Sequence, residues 1–211
     1  MMKIGKYEVL EEIGRGAMGV VYKAFDPLIG REVAIKVISE SALALPEIKE
    51  RFYREARSVG KLNHENITIV HDVGEVEGKP YLVMEYLAGT DLKLIIREKT
   101  PVRLLQKLEY ARQICKGLQY AHTHNVIHRD IKPENIKILP GGNIKIMDFG
   151  IARPTGSELT APGMMLGTPW YMSPEQIKGQ IVDARTDIFS FGVVLFELLM
   201  YKKPFEGNVS T

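Results

Sequence analysis

Within Val126–Gly150, VIHRDIKPENIKILPGGNIKIMDFG, four side chains could share one piece of chemistry. Asp130 is a possible base and Lys132, two residues on, a cation. Asn135 and Asp148 offer an amide oxygen and a carboxylate, hard-oxygen ligands that suit Mg²⁺. A hairpin would bring them together. Ile136–Leu139 and Ile144–Met147 are apolar runs around Pro140-Gly141-Gly142-Asn143, and glycine reaches positive φ without steric cost. With Gly141 and Gly142 as the two loop residues, antiparallel counting pairs Leu139 with Ile144 and, at the far end, Asn135 with Asp148. Taken alone, Asp-x-Lys-x-x-Asn reads equally well as a surface hairpin with polar ends.

The elements that must position this group come earlier in the chain. Tyr7–Ile13 alternates as a strand and runs into Gly14-Arg15-Gly16-Ala17-Met18-Gly19, then into the β-rich Val20–Ala24. A dinucleotide-binding glycine loop opens a helix, whereas Val20-Val21-Tyr22 continues as a strand. The stretch is therefore a strand–loop–strand flap whose amides can lie close over phosphates, or else an ordinary glycine-rich hairpin. Arg31–Ile38 is the next strand, and its period of two sets Ala34 and Lys36 on one face, a place for a flat ring beside a cation for phosphates. A helix follows, with Pro46 in its first turn and Ile48, Phe52 and Val59 as an inward stripe. Glu55 shares that stripe, where an unpaired carboxylate costs several kcal/mol. Lys36 is the partner on offer, a surface ion pair being the plain alternative.

With 45% apolar residues the 211-residue chain can build a real core, and a net charge of +2 is too near neutral to point to nucleic acid or a basic membrane surface. The single cysteine, Cys115, excludes an intrachain disulfide, fits a reducing compartment and reads as a core thiol. The opening MMKIGKYEVLEE lacks the apolar run of a secretory signal. Ile188–Met200 contains Glu197 and reads as a buried helix rather than a membrane span. Leu104–His124 is helical, with apolar residues at 104, 108, 111, 115, 118 and 121, and delivers the chain to His128-Arg129-Asp130. His122 and His124 end that helix without a ligand set at metal spacing, which favours capping or exposure, and His128 reads as a packed core histidine. Ile151–Gly167 is a loop long enough to be either disordered or functional.

HRDIKPEN and DFG at this separation, with GRGAMG before them and GTPWY and SPE after, resemble the protein kinases of the Ser/Thr class, in the eukaryotic-like (Hanks-type) form also found in bacteria. The resemblance runs from about Tyr7 to about Phe205. It implies an α+β, two-lobed protein-kinase fold. A small antiparallel β-sheet N-lobe with one main helix takes residues 1–84, a hinge 85–89, and a mainly helical, incomplete C-lobe 90–211. It also implies ATP with Mg²⁺, or Mn²⁺ in its place, and transfer of the γ-phosphate to a protein Ser or Thr hydroxyl. Asp130 would accept or orient the hydroxyl proton, Lys132 would neutralise charge on the transferring phosphate, and Asn135 and Asp148 would hold the metal. Lys36, paired with Glu55, would hold the α/β-phosphates under Ile13, Gly14, Arg15, Gly16, Ala17, Met18, Gly19, Val20 and Val21. Met84 would border the adenine pocket, Glu85 and Leu87 would offer backbone groups to the base, and Asp91 would lie near the ribose. Lys137 departs from the Leu or Met of relatives, and is expected to lay its stem under the adenine with its ammonium outward.

The same resemblance makes Asp187 an anchor for the catalytic-loop backbone. It makes Thr160 the main phosphosite, with Thr155 and Ser157 secondary, Arg129 as the phosphate's partner and Thr168 unmodified. Expected partners are a protein substrate and a second copy for trans-autophosphorylation, with no nucleic acid and no membrane segment in this chain. The expected location is cytoplasmic, a membrane-anchored parent being left open. In the family the Glu at position 175 pairs with an arginine from beyond Phe205. Arg185 is the one arginine after Glu175, so Glu175 is expected to lack that partner. The helix from Asp187 is likewise expected to expose apolar surface, and the chain alone to be poorly stable and weakly active. Two other readings stay open. A small-molecule phosphotransferase would lack the GTPWY and SPE stretches, and a pseudokinase would not be expected to keep Lys36, Glu55, Asp130, Asn135 and Asp148 intact.

Overall fold

The structure, a computed structural model, describes residues 2–16, 18–44, 47–150 and 169–205. Pro46, Ala17, Thr155, Ser157, Thr160 and Thr168, each given a part above, lie outside the described residues.

Alternating β-branched residues form the expected strands. These are β1 (Lys3–Ile4), β2 (Tyr7–Gly16), β3 (Gly19–Asp26), β4 (Arg31–Ile38), β5 (Val70–Val76) and β6 (Lys79–Glu85). They make one antiparallel sheet in the order β1-β2-β3-β4-β6-β5. Its core face holds Ile4, Tyr7, Ala24, Val33, Ile35, Tyr81 and Val83. Ala34 and Lys36 alternate onto the other face, Ala34 directly opposite Met84 and Lys36 opposite Leu82. After the short helix α1 (Glu40–Leu43), α2 (Ile48–Val59) packs on β5 and β6. Its buried stripe contains the expected Ile48, Phe52 and Val59, with Ala56 and Arg51.

The chain divides into two compact units. One is built from residues up to Asn63 and from Thr68–Leu87, the other from His64–Ile67, Ala88–Gly150 and the later residues. The second contains β7 (Thr90–Asp91), β8 (Ile136–Ile138) and β9 (Ile144–Ile146) as a three-stranded sheet. Its helices are α3 (Leu92–Arg97), α4 (Leu104–Thr123), α5 (Pro174–Ile177) and α6 (Ala184–Met200). No helix among the described residues is long and apolar enough to cross a membrane.

The buried face of α4 differs from the expected one. Ala111, Leu118 and Ala121 are buried, but with Lys107, Tyr110, Gln113, Ile114 and Gly117, whereas Leu104, Leu108 and Cys115 are exposed. Polar residues took the inward positions because the neighbouring backbone supplies partners. Lys107 Nζ donates to Leu198 O at 2.8 Å and lies over the Tyr201 ring, placing a cation at the negative end of α6. Gln113 Oε1 accepts from Ile144 N at 2.8 Å and Asn66 Nδ2 at 3.1 Å. Asn66 Nδ2 also donates to Ile144 O at 3.0 Å, and Ile67 bridges Ile146 in parallel. On α6, as expected, Ile188, Phe196 and Met200 are exposed.

His64 begins this inserted segment. Its Nδ1 accepts the Asn66 N–H at 3.0 Å, and its ring lies 5.0 Å from that of Tyr120. Burial holds the imidazole below its ordinary value. A group lowered on folding binds more protons in the unfolded chain, so stability rises with pH across that window. We predict, from urea unfolding, constant stability above neutral pH and a decline as pH falls below about 6.5. His64→Asn, whose Oδ1 can take the same N–H, should lessen that decline. His71, also lowered by burial, keeps the remainder.

Candidate active site

The site grows from Asp187, which has no exposed surface and lies in the first turn of α6. Its carboxylate accepts the backbone N–H of His128 and of Arg129, each at 2.8 Å, and His122 Nε2 at 2.7 Å. Burial alone would raise this carboxyl, but the His122 hydrogen bond, the electrostatic influence of the His128 ring and the two backbone donors outweigh it and hold the group below the ordinary value. The expected anchor is therefore present. His122 was assigned to capping or solvent, and this is corrected. His124 does cap, its Nδ1 lying 2.8 Å from Tyr120 O.

His128 is fully buried, as expected, and it links two segments. Its Nδ1 accepts Asp130 N–H at 3.2 Å, which leaves Nε2 protonated to donate to Met147 O at 2.8 Å. Gly150 N donates back to His128 O at 2.9 Å, and the Phe149 ring packs 4.6 Å from the imidazole. The backbones that carry Asp130 and Asp148 are thus tied through one ring. Arg129 and Asp148 both adopt positive φ, 63° and 53°, a conformation that costs a non-glycine residue about 1–2 kcal/mol and is held here by the bonds on either side.

Asn135 ends a short turn, Pro133–Asn135, opened by a proline that fits a first helical position. Its Nδ2 donates to Asp130 O at 2.8 Å and Asp130 Oδ2 at 2.9 Å, turning Oδ1 the other way. Lys132 Nζ lies 3.1 Å from the same Asp130 Oδ2. Carboxylate, cation and amide therefore meet.

The hairpin forms in a different register from the one expected. Ile136 pairs with Ile146 and Ile138 with Ile144, while Met147 N donates to Asn135 O at 2.8 Å, so Asn135 faces Met147 and not Asp148. The turn is the cause. Gly142 N donates to Leu139 O at 3.0 Å, making Pro140 and Gly141 its centre, with Pro fixing φ and Gly141 at 90°. Gly142 becomes a third loop residue.

Asp91 and Lys137 face each other across β7 and β8, and Lys137 Nζ lies 3.1 Å from Asp91 Oδ1. Lys137 is half-buried with its ammonium on this carboxylate. Glu175, expected to lack its family partner, accepts Thr186 Oγ1 at 2.6 Å, a bond that holds its carboxyl below the ordinary value. Gln176 was missed. Its Oε1 accepts Ser173 N at 3.0 Å and its Nε2 donates to Arg129 O at 2.9 Å, joining a helix capping box to the catalytic loop. The Ser-x-x-Gln spacing was the available signal. Tyr171 donates to Glu197 at 2.6 Å, and burial followed by that carboxylate pushes its phenol far upward.

In the first unit, Ala34, Met84 and Leu87 are buried, and Lys36 on β4 and Glu55 on α2 are half-buried. Glu85 N donates to Ile69 O at 3.0 Å while Glu85 Oε1 accepts Ile69 N at 2.7 Å. The glycine motif is the expected strand–loop–strand, with Gly16 opposite Gly19. Ile13 is exposed, Arg15 pairs with Glu12 at 2.6 Å, Met18 lies in the turn, and Val20 and Val21 are half-buried. Gly19 has φ 150°, and a Cβ there would strike Val37 O. Gly16 has no such constraint, since a Cβ would meet nothing within 4 Å, and Gly14 would make only an ordinary contact with Val21 at 3.9 Å. The fold requires Gly19. The absent side chains at Gly14 and Gly16 leave bare backbone for something else to approach.

Asn135 and Asp148 suit a Mg²⁺ that draws its remaining ligands from phosphate and water, since that ion is commonly held by one or two protein oxygens. Among the described residues no group of three or more His, Cys, Asp and Glu could hold a metal by itself.

Residues 7–211 match the model of the protein kinase domain family, and the chain belongs to that family. It is 42% identical over 205 residues to the serine/threonine-protein kinase PrkC of Bacillus subtilis, covering 97% of this chain and 32% of that protein. It is 40% identical over 210 residues to the serine/threonine-protein kinase PknB of Mycobacterium tuberculosis, covering 96% and 34%. The chain thus spans about a third of the length of these curated relatives. The crystal structure of the Mycobacterium tuberculosis PknI kinase domain superposes with a TM-score of 0.80 at 29% identity, covering 97% of this chain and 78% of that one. The α+β protein-kinase fold is that of this chain.

The glycine analysis gives a paired test. Gly19→Ala should lower the melting temperature through strain and the collision with Val37. Gly16→Ala should change stability by no more than about 0.5 kcal/mol, yet weaken ATP binding measured by titration calorimetry.

Proposed function

We propose that this domain transfers the γ-phosphate of MgATP to a Ser or Thr hydroxyl of a protein. The observation that carries the reading is the convergence of Lys132 and Asn135 on the Asp130 carboxylate, on a loop whose backbone is bound to Asp187 and His128. Phosphoryl transfer needs positioning and electrostatics more than covalent chemistry from the protein, and a rigid carboxylate beside a cation supplies both. Asp130 orients the acceptor hydroxyl and takes its proton, and Lys132 offsets negative charge on the phosphate in flight. Asn135 and Asp148 would hold Mg²⁺, or Mn²⁺, which would supply positive charge for the phosphate oxygens. Lys36, supported by Glu55, binds the α/β-phosphates, with the glycine flap above them. Ala34, Met84 and the backbone at Glu85 and Leu87 receive the base.

Regulation by autophosphorylation between copies belongs to the same proposal, with Thr160 as main site and Thr155 and Ser157 secondary. A phosphate there would bring a charge of about −1.5 to −2 for Arg129 to meet.

Transfer of labelled phosphate to a generic basic protein is the test. Asp130→Asn should reduce it by about 10²–10⁴-fold while ATP affinity stays within about tenfold. Equal loss of binding and turnover would remove Asp130 from the role of base. Binding without transfer by the unaltered protein would favour a pseudokinase, and transfer only to small hydroxyl compounds a small-molecule phosphotransferase.

Lys137→Leu should tighten ATP binding by titration, because the leucine supplies apolar surface for the adenine without a charge to hold aside. Weaker binding would mean that the Lys137–Asp91 pair itself contacts nucleotide.

A further inference from the structure

Asp187 holds the catalytic loop, but what holds Asp187 comes from elsewhere. Among the described residues, two of its three donors are His128 N and Arg129 N, the groups it is there to fix. Among the described residues, the third donor, and the one outside the loop, is His122 in the last turn of α4. Its side chain is 15% exposed against 0% for Asp187, so the hydrogen bond is made away from bulk water. A carboxylate can swing about its own side-chain torsions, and hydrogen bonds from the mobile partner cannot by themselves define where it rests. A ring nitrogen projected from a twenty-residue helix can.

The geometry points to His122 as a positioning residue for phosphoryl transfer, one that sets the Asp187 carboxylate and through it the His128–Arg129 backbone from which Asp130 projects. Three further features fit this role. His122 Nε2 and His128 N share the same oxygen, Asp187 Oδ2, so displacement of the first bond moves the acceptor of the second. Arg129 is in a left-handed conformation that its own chain does not favour and that external bonds must maintain. Gln176 Nε2 donates to the Arg129 carbonyl, which belongs to the next peptide group, so it offers the Arg129 N–H no acceptor in place of Asp187. Losing a hydrogen bond to a buried charged group leaves that group underserved, and the loop would sample open states more often.

The role in turnover rests on the proposed phosphoryl transfer, whereas the effect on the loop does not, and the test separates them. Hydrogen–deuterium exchange with mass spectrometry is measured on the unaltered protein, His122→Ala and His122→Gln. Glutamine can carry its amide nitrogen to about the place of the imidazole Nε2. His122→Ala should speed exchange in the peptide containing His128 and Arg129 by about tenfold or more, while peptides from the middle of α4 and from β4 keep their rates. His122→Gln should return the loop toward its original protection. In the transfer assay, His122→Ala should lower kcat with KM for ATP unchanged, and His122→Gln should restore it. Where His122→Ala does not fold, His122→Asn, whose amide is too short to reach, makes the same comparison. Unchanged loop exchange, equal acceleration throughout α4, or failure of glutamine to restore protection would each overturn the inference. Absence of transfer by the unaltered protein would count against the phosphotransfer role alone, with the exchange data still deciding what His122 does to the loop.

Discussion

A carboxylate without access to water must have its lone pairs met, and the second unit is arranged around meeting those of Asp187. The donors it receives are backbone N–H groups of His128 and Arg129 and the ring of His122. Because backbone amides are among them, the need for satisfaction becomes a fixed path for the chain, and the side chain of Asp130 inherits that path. His128 extends the same constraint through its two nitrogens to Asp130 N and Met147 O. The path of the chain at Asp130 and at Met147 is thus a consequence of where buried polar groups find partners.

Other charges in the interior are used in this manner. Lys107 and Lys145, both buried, give their ammonium groups to carbonyls, Leu198 O and Ile67 O, at 2.8 and 3.0 Å. Glu197, inside the most apolar helix, takes the Tyr171 hydroxyl, while Ser190 Oγ donates to Tyr171 O at 2.6 Å. The turn Pro169–Tyr171 is therefore held from two sides by α6, and its tyrosine is kept neutral and rigid.

Much of this was legible in the sequence where a residue type permits few uses. The strands of the first unit follow from period-two alternation, and β4 matches its expected span. HRD and the Asn five residues on mark, by type and spacing, the loop on which Asp130, Lys132 and Asn135 meet. The failures on α4 share a cause, since each depended on a partner remote in the chain. Lys107 and Gln113 look like outward residues until the carbonyls and amides of α6 and β9 are present, and so the inward face of α4 was misjudged at Leu104, Leu108 and Cys115. His122 looked like a cap because Asp187 lies 65 residues away. The hairpin register failed locally instead. Gly-Gly suggested the turn centre, but the restricted φ of Pro140 moved it one residue back, and a one-residue shift changes every cross-strand pair.

The placement of His64–Ile67 has a consequence for how the polypeptide can be divided. Ile146 N donates to Asn66 O at 2.9 Å, and Asn66 Nδ2 reaches Gln113 and Ile144, partners 47 and 78 residues further along. A gene fragment opening at Ala88 would encode most of the second unit without these four residues, and would bury the Ile146 amide and the Gln113 oxygen with fewer partners. During synthesis the order is reversed. Asn66 and Ile67 leave the ribosome before their partners Gln113, Ile144 and Ile146 exist, and the groups that meet those partners remain solvated until the β8–β9 hairpin is made. The second unit can close only when an early stretch of chain and a late one are both present, which makes its assembly a long-range event even though its helices are local.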